Sequence, residues 1–279
     1  MRRRNVLIVV GGCLSALAGF FLVLEPALAD AQLASDTRAL AQAASHQATV
    51  DAALQQFLTR SPSGADLSDD RLLTQSSANL AQYETARKLV SQDMAGLGGA
   101  LQPQWLVAAA FAKSSELQAA RGRTATAAGA LVHANQVLTA AVDQERLQQG
   151  FFFAAVTETK MLTAIDDQQY VEIDAYYAQA DRGLRVAESL MNQPDESPGF
   201  KPVILAMRSV IDQTQKYGAA LLRNDTTEAN ARHAAMRAGY ATLAAATSAA
   251  SLTANDDWND RAYQPLIAAY HAGLAATLS

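Results

Sequence analysis

The chain is 279 residues long, 50% hydrophobic, 6% aromatic and 18% charged, with one cysteine and a net charge of −5. An ordinary apolar fraction with little net charge excludes disorder, and a single cysteine excludes a disulfide scaffold. Alanine, the best helix former and a residue depleted in strands, occurs 60 times and excludes an all-β sandwich.

Arg2, Arg3 and Arg4 precede an uncharged apolar run from Val6 to Leu24, after which come Glu25 and Pro26. A basic start followed by an apolar run close to the roughly 20 residues of a spanning helix is membrane-inserting. Ala27-Leu28-Ala29 before Asp30 has the small-x-small form of a cleavage site, so residues 1–29 read as a signal anchor or a signal peptide of bacterial type. A third reading makes Val10-Gly11-Gly12-Cys13 a lipidation box; the simpler one keeps Cys13 as a small apolar residue within the run. All of them put Asp30 onward outside the cytoplasm, because arginines hold the N-terminus inside. The expected locations are a single-pass membrane protein or, after cleavage at Ala29, a secreted or periplasmic one. The exported part carries 19 basic and 26 acidic residues, a balance that argues against nucleic acid and anionic lipid as partners.

Helical periodicity fills the rest. A first helix is expected from about Leu33 to Thr59, ending at Ser61-Pro62-Ser63-Gly64. Ser68 then caps a second helix, in which Leu73, Leu80, Tyr83, Val90, Met94 and Leu97 keep a nearly heptad period. Pro103 opens a third, with Leu117, Ala120, Leu131, Ala134, Leu138 and Ala141 on its seam. Gly122 is expected to kink or divide it, and Phe151-Phe152-Phe153 to begin another stretch. Asp166, with Gln169 and an Ile165–Tyr170 staple, is expected to cap the next helix. Residues 193–201 read as a loop, Pro202 starts a helix, and Asp225-Thr226-Thr227-Glu228 is the best capping box in the sequence. It also makes better use of the Asn224-Asp225-Thr226 sequon than glycosylation would. A turn at Asn255-Asp256-Asp257 is expected before a last helix, with Pro265 implying a kink or a late start.

The predicted fold is all-α: an elongated antiparallel bundle of about six to eight helices after the membrane-inserting helix. Residues 31–150 hold four aromatics and residues 151–279 hold twelve, including seven of the eight tyrosines. Ala/Leu seams suit slender bundles and aromatics need wider cores. A slender bundle over 30–150 and a Tyr-rich one over 151–279 are therefore expected, separate or continuous.

The motifs of catalysis are missing. None of His46, His133, His233 and His271 lies three residues after a glutamate, so the carboxylate di-metal pattern is absent. Zinc, haem, nucleophile-elbow and phosphate-loop signatures are absent too. The paired acids Asp69-Asp70, Asp166-Asp167 and Asp256-Asp257 are each expected at a helix start, where the dipole favours them. No enzyme, cofactor or metal is predicted.

Tyr170, Tyr176, Tyr177, Tyr217, Tyr240, Trp258, Tyr263 and Tyr270 are candidates to line a cavity, against the plainer reading of core packing. Three adjacent rings at Phe151, Phe152 and Phe153 cannot all face inward, so an interface there is weighed equally with internal packing. The leading expectation is a membrane-tethered, extracytoplasmic helical bundle acting as a scaffold on another extracytoplasmic or membrane protein. The alternative is a ligand-binding or ligand-sensing bundle with a small-molecule site among the C-terminal helices. That arrangement resembles, in architecture alone, the extracytoplasmic domains of bacterial chemoreceptors. A pore-forming hairpin is disfavoured because Gly150–Val156 is too short an apolar run.

Overall fold

The structure, a computed structural model, describes residues 25–59, 70–101, 113–192 and 199–278, and of 25, 249–256 and 278 the backbone alone. Every regular element among these residues is helical: α1 (Glu25–Thr59), α2 (Asp70–Leu101), α3 (Ser114–Asp166), α4 (Ile173–Leu190), α5 (Phe200–Leu222), α6 (Thr226–Ala246) and α7 (Ala249–Leu278). One 3-10 turn, Tyr170–Glu172, leads into α4. The all-α class is as the composition requires. The expected membrane-inserting run, Arg2 to Arg4 and Cys13 lie outside the described residues. No helix among the described residues is long and apolar enough to cross a membrane.

Several boundaries differ from the periodic reading. α1, Glu25–Thr59, is already helical eight residues before Leu33. The Ala27–Ala29 motif is therefore helical, and Ala29 is buried against Leu117. α3 runs unbroken for 53 residues through both Gly122 and Gly150. Its seam explains why. Leu117, Ala120, Thr124, Ala127, Leu131, Ala134, Leu138, Ala141, Glu145 and Gln148 alternate steps of three and four and are all buried. A continuous buried stripe holds the helix on either side of one exposed glycine. α2 carries the same pattern in Ser76, Asn79, Tyr83, Ala86, Val90, Asp93, Leu97 and Ala100.

The capping expectation at Asp166 is corrected. Asp166 is the last residue of α3, and the chain leaves through Gln168 at φ 60°. Gln168 N–H donates to Ile165 O at 3.1 Å and Gln169 N–H to Ala164 O at 2.7 Å. This pairing of the last free carbonyls closes a helix with a left-handed residue. α5 ends the same way at Asn224 (φ 55°), and here the expected cap follows, with Asp225 accepting from Glu228 N–H at 2.9 Å. The acid pairs at the other two sites are not helix starts. Asp166-Asp167 closes α3, and Asp256-Asp257 lies inside α7, which begins at Ala249 and passes through Pro265.

The chain divides into two compact units. The first comprises the described residues of Met1–Asp51, Lys88–Asn135 and Ile267–Ser279. In it Gln32 Nε2 donates to Asp36 Oδ1 at 2.9 Å and to Ala100 O at 2.7 Å. His46 Nδ1 lies 3.0 Å from both oxygens of buried Asp93, and His271 Nε2 lies 3.1 Å from Asp51 Oδ1.

The second unit comprises the described residues of Ala52–Arg87 and Gln136–Leu266. Its core gathers Leu147, Phe151, Phe152, Met161, Ile173, Leu184, Ile204, Met207, Ile211 and Leu243. α3 and α4 cross backbone to backbone at Gly150 and Gly183, where a Cβ on either would stand 2.5 or 2.7 Å from the other's carbonyl oxygen. α4 is clamped to α5 by Arg208, which bonds Asp181 Oδ1 at 2.6 Å and both oxygens of Glu188 at 2.8 and 2.9 Å.

Candidate functional site

The second unit holds a cleft of about 460 Å³ between α3, α5 and α6. α3 presents one stripe to it: Phe151, Ala155, Glu158, Thr159 and Leu162. Met207 enters from α5, Tyr240, Leu243 and Ala244 from α6, and Thr247 from just past its end. The α5–α6 hairpin brings its two walls together through the Asn224 turn and the Asp225 cap described above.

Four lining residues carry polar side-chain atoms, and two of those are tied to their own helices. Thr159 Oγ1 donates to Ala155 O at 3.3 Å, and Thr247 Oγ1 to Leu243 O at 2.9 Å. What remains is Glu158 and Tyr240. Glu158 is only 4% exposed. Its Oε1 accepts from the Tyr240 hydroxyl and lies 3.2 Å from Thr214 Oγ1 of α5, whose one proton is shared with Val210 O at 3.0 Å. Burial pushes the Glu158 carboxyl above its ordinary 4.5, and the two hydroxyls pull partly back. The Tyr240 phenol is pushed up in turn, by burial first and then by the neighbouring carboxylate. It stays a neutral donor. No basic side chain among the described residues pairs with Glu158.

Comparison with protein-family models, curated proteins and solved structures finds no match to the chain.

Of the residues singled out from sequence, Phe151 and Tyr240 line this cleft. Phe152 is buried beside it with its ring edge-to-face on Phe151, centroids 5.8 Å apart. The other aromatics are dispersed. Tyr177 donates to Asp212 Oδ1 at 3.1 Å, tying α4 to α5, and Tyr176 donates to Glu172 at 3.2 Å. Tyr170 packs half-buried on the unit's core. Tyr217 lies against the ring of His233 at 5.3 Å, and Trp258 meets Tyr263 edge-on at 5.7 Å. Tyr270 belongs to the first unit. Among the described residues no group of three or more His, Cys, Asp or Glu is arranged to hold a metal ion.

Sequence reasoning missed Glu158, Thr214 and Met207. The one signal for Glu158 was positional: it follows Phe151 by seven and Ala155 by three, which puts a charge on the apolar stripe of the helix.

A second cleft, about 480 Å³, lies where α2, α3 and α4 meet, lined by Leu73, Ser77, Arg146, Gln149, Phe153, Arg182 and Val186 around the Gly150–Gly183 crossing. Phe153 and Val186 are exposed there, at 38% and 47%. Arg146 pairs with Glu84 at 2.7 Å.

Proposed function

We propose that the chain is a non-enzymatic, extracytoplasmic helical bundle that binds a small molecule in the cleft headed by Glu158. The observation that carries this reading is a buried carboxyl, held by two hydroxyls, at the wall of an otherwise apolar cleft. Binding sites of small molecules combine apolar walls with a few convergent polar groups at volumes of about 300–1,000 Å³. In the one hydroxyl–carboxylate pair of the lining the Tyr240 phenol is pushed up and stays a neutral donor rather than an activated nucleophile, which favours binding over turnover. Every lining residue falls within the Tyr-rich residues 151–279, in line with the alternative expected from sequence. Export or tethering rests on Arg2–Arg4 and the apolar run Val6–Leu24, and mass spectrometry of the purified protein decides whether the mature chain starts at Asp30.

The test is a thermal-shift screen of metabolites against the protein and its Ala244→Trp variant, in which an indole fills the cleft from an exposed lining position. A ligand that stabilises the first and not the second supports the reading. A screen with no ligand sensitive to Ala244→Trp removes it. The scaffold reading keeps one specific support, the exposed Phe153 and Val186 beside the second cleft. A protein partner recovered by crosslinking in cells and lost on Phe153→Asp would favour it.

A further inference from the structure

We propose that the Glu158 cleft takes a protonated amine on an apolar body, with the Glu158 carboxylate as its counter-ion. The inference rests on the binding reading above and names the ligand class. Buried charges in proteins are paired, because an isolated one forfeits its hydration without return. Glu158 is 4% exposed and no basic side chain among the described residues pairs with it. Its side-chain partners are hydroxyls, and both reach the same oxygen: Tyr240 from α6 donates to Oε1, and Thr214 from α5, whose proton is shared with Val210 O at 3.0 Å, lies 3.2 Å from it. Neither donates to Oε2, so the carboxyl keeps acceptor capacity in a residue that lines the cleft. An ammonium group supplies both the missing charge and further donors, in a charge-assisted hydrogen bond.

The walls select the rest of the ligand. Phe151 and Tyr240 offer aromatic rings to a cation. Leu162, Met207 and Leu243 offer only apolar contact. A phosphate or carboxylate ligand would meet a carboxyl and no cation in this lining, and like charges repel. A neutral alcohol could hydrogen-bond to Glu158 but would leave its charge uncompensated. The amine answers both deficits.

The experiment measures binding of 2-phenylethylamine, 2-phenylethanol and 3-phenylpropanoate to the full chain by calorimetry at neutral pH. The amine is expected to bind at least about tenfold tighter than the alcohol, the worth of one charge-assisted bond, and the acid not to bind. In Glu158→Gln the amine loses that advantage while the alcohol stays within about twofold, because the amide keeps the side chain's shape. Circular dichroism establishes that the variant is folded; should it not be, Glu158→Asp, which keeps the charge and retracts it, must weaken the amine more than the alcohol. Equal affinities for amine and alcohol, or tighter binding of the acid, overturn the proposal. If those ligands are nevertheless lost in Ala244→Trp, the binding site stands and only its assigned ligand class falls. If none of the three binds and no screened metabolite is sensitive to Ala244→Trp, the site and the ligand class fall together.

Discussion

Two alanine substitutions in one helix should move stability in opposite directions. Gly122 and Gly150 both lie in the interior of α3. A Cβ at Gly122 meets nothing within 4 Å, whereas one at Gly150 would stand 2.5 Å from Gly183 O and 3.2 Å from Ala187 N. Those are backbone atoms of α4 and cannot rotate aside, so the helices must part by about 1 Å, enough to forfeit much of the dispersion contact around them. Overpacking of this kind costs about 1–3 kcal/mol. Replacing glycine by alanine in a helix returns about 0.5–1 kcal/mol. The net for Gly150→Ala is a loss of about 1 kcal/mol at the centre of those ranges (about 0–2.5 kcal/mol), and for Gly122→Ala a gain of about 0.5–1 kcal/mol. Urea unfolding followed by circular dichroism should lower the midpoint in the first variant and raise it in the second, with unchanged slope. Gly183→Ala should resemble Gly150→Ala, since its Cβ would stand 2.7 Å from Gly150 O and 3.0 Å from Phe153 Cδ1. A Gly150→Ala protein that gains stability as Gly122→Ala does would refute the close crossing of α3 and α4.

Other outcomes follow from the same contacts. Because burial raises the Glu158 carboxyl above its ordinary 4.5, the folded chain holds that proton more tightly than the unfolded one. Its contribution is complete below 4.5 and is lost as pH rises through the folded value. Glu158→Gln should therefore match the parent in mild acid and exceed it in stability at neutral pH; a deficit at neutral pH would contradict the raised value. Arg208→Met should destabilise by about 1–3 kcal/mol by leaving Glu188 half-buried and unpaired and Asp181 with Arg185 alone, read as a lower urea midpoint that adding Glu188→Gln partly restores. Asp225→Ala should cost about 1 kcal/mol through the lost cap on Glu228 N–H, seen in the same unfolding curves; an unchanged midpoint would dismiss the cap.

The seams of α2 and α3 were legible because heptad spacing is local and repeats many times. The Asp225 cap was legible for a similar reason, being complete within four residues. The continuity of α3 was not. Gly122 and Gly150 are the same residue in similar contexts, and only α4 distinguishes them. Asp166 carried every local mark of an N-cap, yet the preceding helix runs on to claim it and Gln168 turns the chain instead. Glu158 was hidden by distance: its donors Thr214 and Tyr240 lie 56 and 82 residues away in sequence. A charge on an apolar stripe was the one local trace of the site.

The polar residues buried in those seams have a further consequence. A stripe of alanine and leucine looks the same after every seven residues, so one such helix can slide a heptad along another with little change in apolar contact. Gln32 bonded to Ala100 O, His46 facing Asp93, and Gln56 donating to Asn79 at 2.5 Å break that equivalence. A shift of two turns would bring Ala86 or Ala100 opposite His46 and Leu72 or Ala86 opposite Gln56, and unmet buried polar groups cost about 1–3 kcal/mol apiece. Like a buried asparagine in a leucine zipper, they choose one alignment among many that the hydrocarbon alone would tolerate.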